Sequence, residues 1–147
     1  MERALFRNSG FRAVSLFVTL LVCVIALRAQ EFTHYDITDG LSSIEVTDIR
    51  ENDHFMWIAT CDGLNRFDGE NFKIYKREND SLNCLTENNI ETLFFDSDGF
   101  LWIGLKTGGA DIYDPRHDQF IHVSKIIEGR TPARVISIME DSRKNIW

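Results

Sequence analysis

The residues best equipped for chemistry are few, and their spacing argues against most of what they could do. The run Asp96-Ser97-Asp98-Gly99 opens as a calcium-binding loop opens. Such a loop closes on a bidentate glutamate at its twelfth position, and Thr107 stands there. A hairpin turn is the reading that fits. Asp111 and Asp114 suggest the carboxylate pair of a sugar hydrolase, which needs a separation of roughly 5–10 Å, yet nothing sets them above ordinary turn acids. His34, His54, His117 and His122 lack metal-ligand spacing, and the nearest two, His117 and His122, are divided by a turn and a strand. No glycine-rich loop leads from a strand into a helix, and no nucleophile motif is present. Neither a catalytic residue, a metal ligand nor a cofactor is expected, and no ligand-binding residue can be singled out. Kinase, receiver and DNA-reading helices are equally missing from the pattern.

The elements that would position such groups begin after an export signal. Arg3, Arg7 and Arg12 precede an uncharged run from Ala13 to Leu27, and Arg28 and Ala29 close it. Fifteen helical residues span roughly 22 Å, short of a bilayer core of about 30 Å, so residues 1–29 read as a secretory signal-peptide helix. Export would place Cys61 and Cys84 in an oxidising compartment. They sit on different repeat units in turns or loops, and free thiols are expected. The whole chain of 147 residues carries a net charge of −7. Setting aside residues 1–29 removes four Arg and one Glu and leaves −10. A surface of that sign does not bind nucleic acid through bulk charge. Eleven Phe and three Trp against two Pro point to a strand-rich core built on aromatic rings.

The repeat carries the most information. Trp57, Trp102 and Trp147 are 45 residues apart in similar surroundings, and Ile90, Leu93, Asp96 and Trp102 recur as Val135, Ile138, Asp141 and Trp147. The first copy has Val46, Ile49 and Trp57, with one residue missing from its turn. Within the second copy, strands are expected at Ile90–Phe95, Phe100–Leu105, Ala110–Tyr113 and Phe120–Lys125, separated by turns at Asp96–Gly99, Lys106–Gly109 and Asp114–Gln119. The first copy gives Val46–Glu51, Phe55–Thr60, Leu64–Asp68 and Asn71–Arg77, with Gly63 in a turn. Four-stranded antiparallel meanders at a 45-residue period are β-propeller blades, so the fold class is all-β. A large ring on the second strand fills the space between blades, which makes the three Trp, with Asp96, Gly99, Gly63 and Gly109, structural markers of the repeat.

The strings Ser81-Leu82, Asn88-Asn89-Ile90 and Asp96-Ser97-Asp98-Gly99-Phe100-Leu101-Trp102-Ile103-Gly104 resemble the two-component regulator propeller repeat. So do Asp39-Gly40-Leu41-Ser42-Ser43, Trp57-Ile58-Ala59-Thr60 and Asp62-Gly63-Leu64-Asn65-Arg66-Phe67-Asp68, and the likeness extends over residues 32–147. Ala59, Leu105, His54 and Lys144 depart from the pattern. The resemblance implies the periplasmic sensor of a hybrid histidine kinase, as in gut Bacteroidetes, detecting polysaccharide breakdown products and signalling to transcription. It implies an oligosaccharide ligand for the complete protein, further blades and a kinase region in the same polypeptide, and no catalysis in this segment. A homodimer of the complete protein is compatible with it. Two readings compete: a secreted propeller enzyme acting on polysaccharide, and a protein-interaction propeller, against which Trp-Ile-Gly in place of Trp-Asp speaks.

The expected organisation is a signal peptide at 1–29, an outer strand and entry loop at 30–45, blade 1 with linker at 46–89, blade 2 with linker at 90–134, and the start of a truncated blade 3 at 135–147. Phe32-Thr33-His34-Tyr35 resembles the outer strands Phe72-Lys73-Ile74-Tyr75 and Phe120-Ile121-His122-Val123. Rings close with 4–8 blades, so about two and a half make an incomplete ring, expected of the amino-terminal fragment of a longer protein. Sequencing past the Trp147 codon should reveal further blade-like repeats; a stop with no such repeat in any frame would contradict the fragment reading.

Overall fold

The computed structural model describes residues 32–147 except 53, 80, 82 and 124–132, so the signal-peptide expectation at 1–29 lies outside the described residues. The chain divides into a unit Met1–His34, of which Phe32, Thr33 and His34 are described, and a unit Tyr35–Trp147 that holds the sheets. Among the described residues no helix is long and apolar enough to cross a membrane.

Eight strands follow one another in two blades: β1 (Val46–Glu51), β2 (Met56–Thr60), β3 (Gly63–Phe67), β4 (Phe72–Tyr75), β5 (Ile90–Phe95), β6 (Leu101–Leu105), β7 (Ala110–Asp114) and β8 (Gln119–His122). Each sheet is a meander, ordered β1-β2-β3-β4 and β5-β6-β7-β8, with antiparallel neighbours throughout. The repeat extends to detail. Trp57 lies opposite Arg66, and Trp102 lies opposite Ile112. Both first strands shift register near their start, between Val46 and Asp48 and between Ile90 and Thr92. Among the described residues the chain thus forms all-β blades followed by a short third copy.

The turns explain where strands stop. Asp96 accepts the backbone N–H of Asp98 and Phe100 on Oδ1, and Asp141 does the same for Arg143 and Asn145. In the first copy Asn52 accepts from His54 and Phe55, and its N–H reaches the Phe55 carbonyl at 3.0 Å, a turn one residue shorter. These side chains copy a backbone turn, so Phe55 and Phe100 belong to turns and β2 and β6 each start one residue later than the sequence suggests. Asp68 likewise captures Glu70 and Asn71, which delays β4 to Phe72. The first outer strand ends at Tyr75, short of Arg77, and β8 is described from Gln119 to His122, with residues 124 and 125 of the expected strand outside the described residues. Gly99 has φ +85, and Lys144, its counterpart, adopts φ +65 in the same turn.

The third copy is a hairpin: Met139 and Trp147 exchange both backbone hydrogen bonds, and Glu140 bridges Ile146. Its start crosses close over β6. A Cβ on Gly104 would stand 2.7 Å from the Val135 carbonyl oxygen, so only glycine lets the chain pass.

The core is the seam between the blades. Trp57, Ala59, Leu64 and Tyr75 from the first meet Leu93, Leu101, Ile103, Tyr113 and Phe120 from the second. The Trp57 ring lies 5.0 Å from Tyr113 and 6.0 Å from Tyr75. On the opposite face of blade 1, Leu41, Ile58, Phe67 and Phe72 form a smaller cluster. Trp57 is fully buried, Trp102 is half-buried, and Trp147 is 71% exposed. The three indoles hold equivalent positions, and their burial falls with the amount of neighbouring sheet each one meets.

That gradient sets an order of sensitivity. Trp57→Ala should cost about 3–5 kcal/mol, Trp102→Ala less, and Trp147→Ala under about 0.5 kcal/mol. Urea-unfolding midpoints of the three variants check the ranking, and equal losses would contradict it.

Candidate functional site

The polar groups considered for chemistry lie mainly where blades or turns must be tied together. Asp111 sits near the start of β7 and is fully buried. Its carboxylate accepts the Thr86 N–H at 2.7 Å, the Thr86 hydroxyl at 2.8 Å and His122 Nδ1 at 2.8 Å. Thr86, His122 and Asp111 have the composition of a hydrolase triad, but not its wiring. Both Thr86 Oγ1 and Asp111 meet the same ring nitrogen, Nδ1, so the ring cannot carry a proton from one to the other. In blade 1 the neutral pair Ser42 and Asn65 fills this place, with Ser42 N–H donating to Asn65 Oδ1 at 2.8 Å. Both pairs fasten the connection entering a blade to its third strand.

Asp114, the other half of the imagined carboxylate pair, holds His117 at 2.7 Å and the Arg116 side chain at 3.1 Å. His117 and then Arg116 hold its carboxyl down to about 2. Asp111 and Asp114 are therefore committed to separate partners, and His117 and His122 each bind a different aspartate. Asp96 gives its second oxygen to Trp102 Nε1 at 2.7 Å, while Asp98 pairs with Lys144, so the Asp96–Gly99 run is a hairpin turn tied to the third copy. Gly63 and Gly109 take positive φ beside the inner turns of the two blades. Cys61 and Cys84 are free thiols, hydrogen-bonded to Ser43 and to backbone carbonyls respectively. Among the described residues no group of His, Cys, Asp or Glu could hold a metal.

Three arrangements carry no clear mark in the sequence. Asp48 accepts the Thr92 hydroxyl and the Leu93 N–H, while Arg50 Nε donates to the Leu93 carbonyl, which locks the two innermost strands together at their irregular register. At the rim, Asp118 gathers Tyr113 at 2.6 Å, Tyr75 at 3.1 Å and Lys73 at 2.8 Å. Lys73, followed by the Tyr113 and Tyr75 hydroxyls, holds the Asp118 carboxyl down to about 2, and burial pushes the Tyr113 phenol up. The third is the Trp57 indole N–H, buried without a partner among the described residues. Trp102 and Trp147 donate theirs to Asp96 and Asp141, but Asn52 carries an amide, a donor, where those have a second oxygen. A buried polar residue sits at the same place in both third strands, Asn65 in β3 and Asp111 in β7.

Open spaces lie at the blade edges among the described residues. A cleft of about 210 Å³ between β4 and β8 is lined by Lys73, Tyr75, Asn83, Asp118 and Phe120. A groove of about 280 Å³ runs between blade 2 and the third copy, past Phe100, Trp102, Ile112 and Ile146.

Residues 84–106 match the family model described as the two component regulator propeller. Over that stretch the chain is similar to the two component regulator propeller repeat. The match takes in the Thr86 clamp, β5, the Asp96 turn and β6, and the blade 1 copy repeats the same plan. A curated relative, histidine kinase P4 of Formosa agariphila, is 45% identical over 76 residues, 48% of this chain and 5% of that protein. A solved structure described as the extracellular domain of a hybrid two component system from B. thetaiotaomicron is similar with a TM-score of 0.68 and 26% identity. That likeness covers 78% of this chain and 17% of the solved one. The repeat-bearing chain thus resembles part of such an extracellular domain and spans a small share of each relative.

Because Asp118 is depressed when folded, its contribution is complete above the ordinary carboxylate value and is lost as pH falls from about 4 to about 2. The urea midpoint of the native chain should drop between pH 5 and pH 2.5. Asp118→Asn should start lower at pH 5 and fall less over the same window; an unchanged slope would contradict the rim network.

Proposed function

We propose that this chain is a piece of the exported, periplasmic ligand-sensing propeller of a hybrid two-component histidine kinase. The observation that carries the reading is its likeness, over most of its length, to an extracellular domain of such a system. The 45% identity to a histidine kinase and the family repeat at 84–106 support it. In this reading the ligand is an oligosaccharide released from a polysaccharide, and the response is altered transcription. Blades elsewhere in the polypeptide complete the ring, and the kinase lies beyond them. The complete protein pairs as a homodimer.

A sensor of this kind needs no reacting group of its own. It needs two conformations that the ligand binds unequally, so that occupancy shifts their balance. The geometry is compatible with sensing, since Asp111, Asp114, His117 and His122 are held in bonds that set one strand, turn or connection against another. Residues so employed make a stiff scaffold, on which loops at the blade ends are free to vary.

Calorimetry on the polypeptide as its host makes it, titrated with oligosaccharide fractions, tests the proposal alongside a reducing-sugar assay. The expected outcome is saturable binding of one fraction with no bond cleavage and a change in kinase phosphorylation. Release of reducing ends by the purified protein, or a host polypeptide with no kinase region, would overturn it.

A further inference from the structure

The two blades differ in length, and the extra residues of the second fall in one place. Four residues join Phe67 to Phe72, which pair across β3 and β4, and six join their counterparts Tyr113 and Phe120 across β7 and β8. The connection entering each blade differs as well. A tyrosine packs on those paired rings in both blades, Tyr35 on blade 1 and Tyr75 on blade 2, and the chain then runs to a buried leucine, Leu41 or Leu85. The first path takes six positions and the second ten. Asn83, in the longer connection, donates to the Asp118 carbonyl at 2.9 Å and accepts the Phe120 N–H at 2.7 Å, so the two extensions are bonded to each other.

They meet at the cleft of about 210 Å³ between β4 and β8, where Lys73, Tyr75, Glu78, Asn83, Asp118 and Phe120 form the walls. Asp118 takes φ +52 in the lengthened turn, a left-handed conformation that Asp tolerates better than most residues. Its carboxylate stands 2.8 Å from Lys73 Nζ, and the two side chains are 54% and 45% exposed. An exposed ion pair contributes little to stability, and blade 1 seats its own tyrosine with neither extension. The packing of the blades therefore does not require the added residues.

The groups at the cleft select a ligand by class. An ammonium has three N–H donors, of which Lys73 gives one to Asp118, and a carboxylate oxygen that accepts from Lys73 has a second lone pair. A donor and an acceptor thus stand side by side at the surface. Two adjacent hydroxyls of a sugar ring satisfy that pattern, one accepting from Lys73 and the other donating to Asp118. The carboxylates of Asp118 and Glu78 oppose an anion, Lys73 opposes a cation, and Lys76 is held by Asp62 at 2.6 Å. Tyr75 and Phe120 add apolar surface, and the volume lies below the roughly 300 Å³ at which sites for larger ligands begin, which suits one ring rather than a chain of them. We propose that this cleft is a binding site for a single neutral sugar ring, held through two adjacent hydroxyls by Lys73 and Asp118. Both walls lie within residues 73–120, so no further blade is needed to build it. The site stands on this geometry, and only the consequence of binding rests on the sensing role.

Diazirine-bearing methyl glucoside, galactoside and mannoside, irradiated with the polypeptide as its host makes it, test the site through mass spectrometry of the labelled peptides. Labelling on residues 73–78, 83–84 or 117–120 is expected, competed by the plain glycosides more strongly than by glucuronic acid. Lys73→Met should weaken the labelling at least about tenfold with the urea midpoint nearly unchanged, and Asp118→Asn, which keeps the shape and loses the charge, should weaken it too. No labelling by any of the three sugars, labelling confined to other residues, equal labelling of Lys73→Met, or stronger competition by glucuronic acid would overturn the proposal. Labelling as expected, with kinase phosphorylation unmoved by the same sugars, would uphold the site and count against the sensing role alone.

Discussion

A four-stranded sheet with apolar residues on both faces has two surfaces to remove from water, and it cannot cover either by itself. The packing of Trp57 into the face of the next blade answers this constraint in the present chain, and much of the remaining architecture follows from it. Because the indole reaches across to Tyr113 and Phe95, the second sheet must lie face to face with the first at a fixed offset. Burial of so large a ring is among the strongest single contributions available to a domain of this size. The same geometry applied again leads from blade 2 to the hairpin at 135–147, where less sheet is present and Trp102 is correspondingly less covered.

Aromatic packing of this kind is strong but weakly directional, and polar contacts supply the direction. Asp48 and Arg50 pin the innermost strands, Asp118 ties the outermost ones through two tyrosines and a lysine, and Thr86 with Asp111 sets the connection between them. Spread from the inner edge to the rim, these bonds prevent one blade from sliding or tilting on the other. Side chains that would elsewhere suggest catalysis are used as fasteners, because a buried carboxylate is tolerated only when its oxygens are filled with donors. A rigid seam is also what a sensing ring would use to carry a small displacement from one blade to the next.

Much of the fold was legible in advance. The 45-residue spacing of the tryptophans, the Asx turns and the apolar run Ile90–Phe95 placed all eight strands, with errors of a few residues at most at their ends. Those at the strand starts share a cause: Asn52, Asp68 and Asp96 capture following N–H groups, and turns claim the aromatic or polar residue that looked like a strand start. The site was far less legible. Asp118 looked like one acid among several in a polar turn, and Thr86 like a loop residue. Their roles depend on tyrosines and histidines 5 to 43 positions away, most of them brought near only by the stacking of sheets.

The sequence by itself determined, for the described residues, the all-β class, the order of strands, the hairpin turns and the likeness of residues 84–106 to the regulator propeller repeat, because each of these follows from neighbours a few residues apart and from a spacing that recurs. Tertiary structure decided the rest. It left the Trp57 N–H without an acceptor among the described residues, made Asp111 a clamp rather than half of a catalytic pair, and seated Tyr35 edge-on against Phe67 and Phe72. Those outcomes turn on which faces meet, and face-to-face contact between sheets joins residues whose separation along the chain carries no local signal.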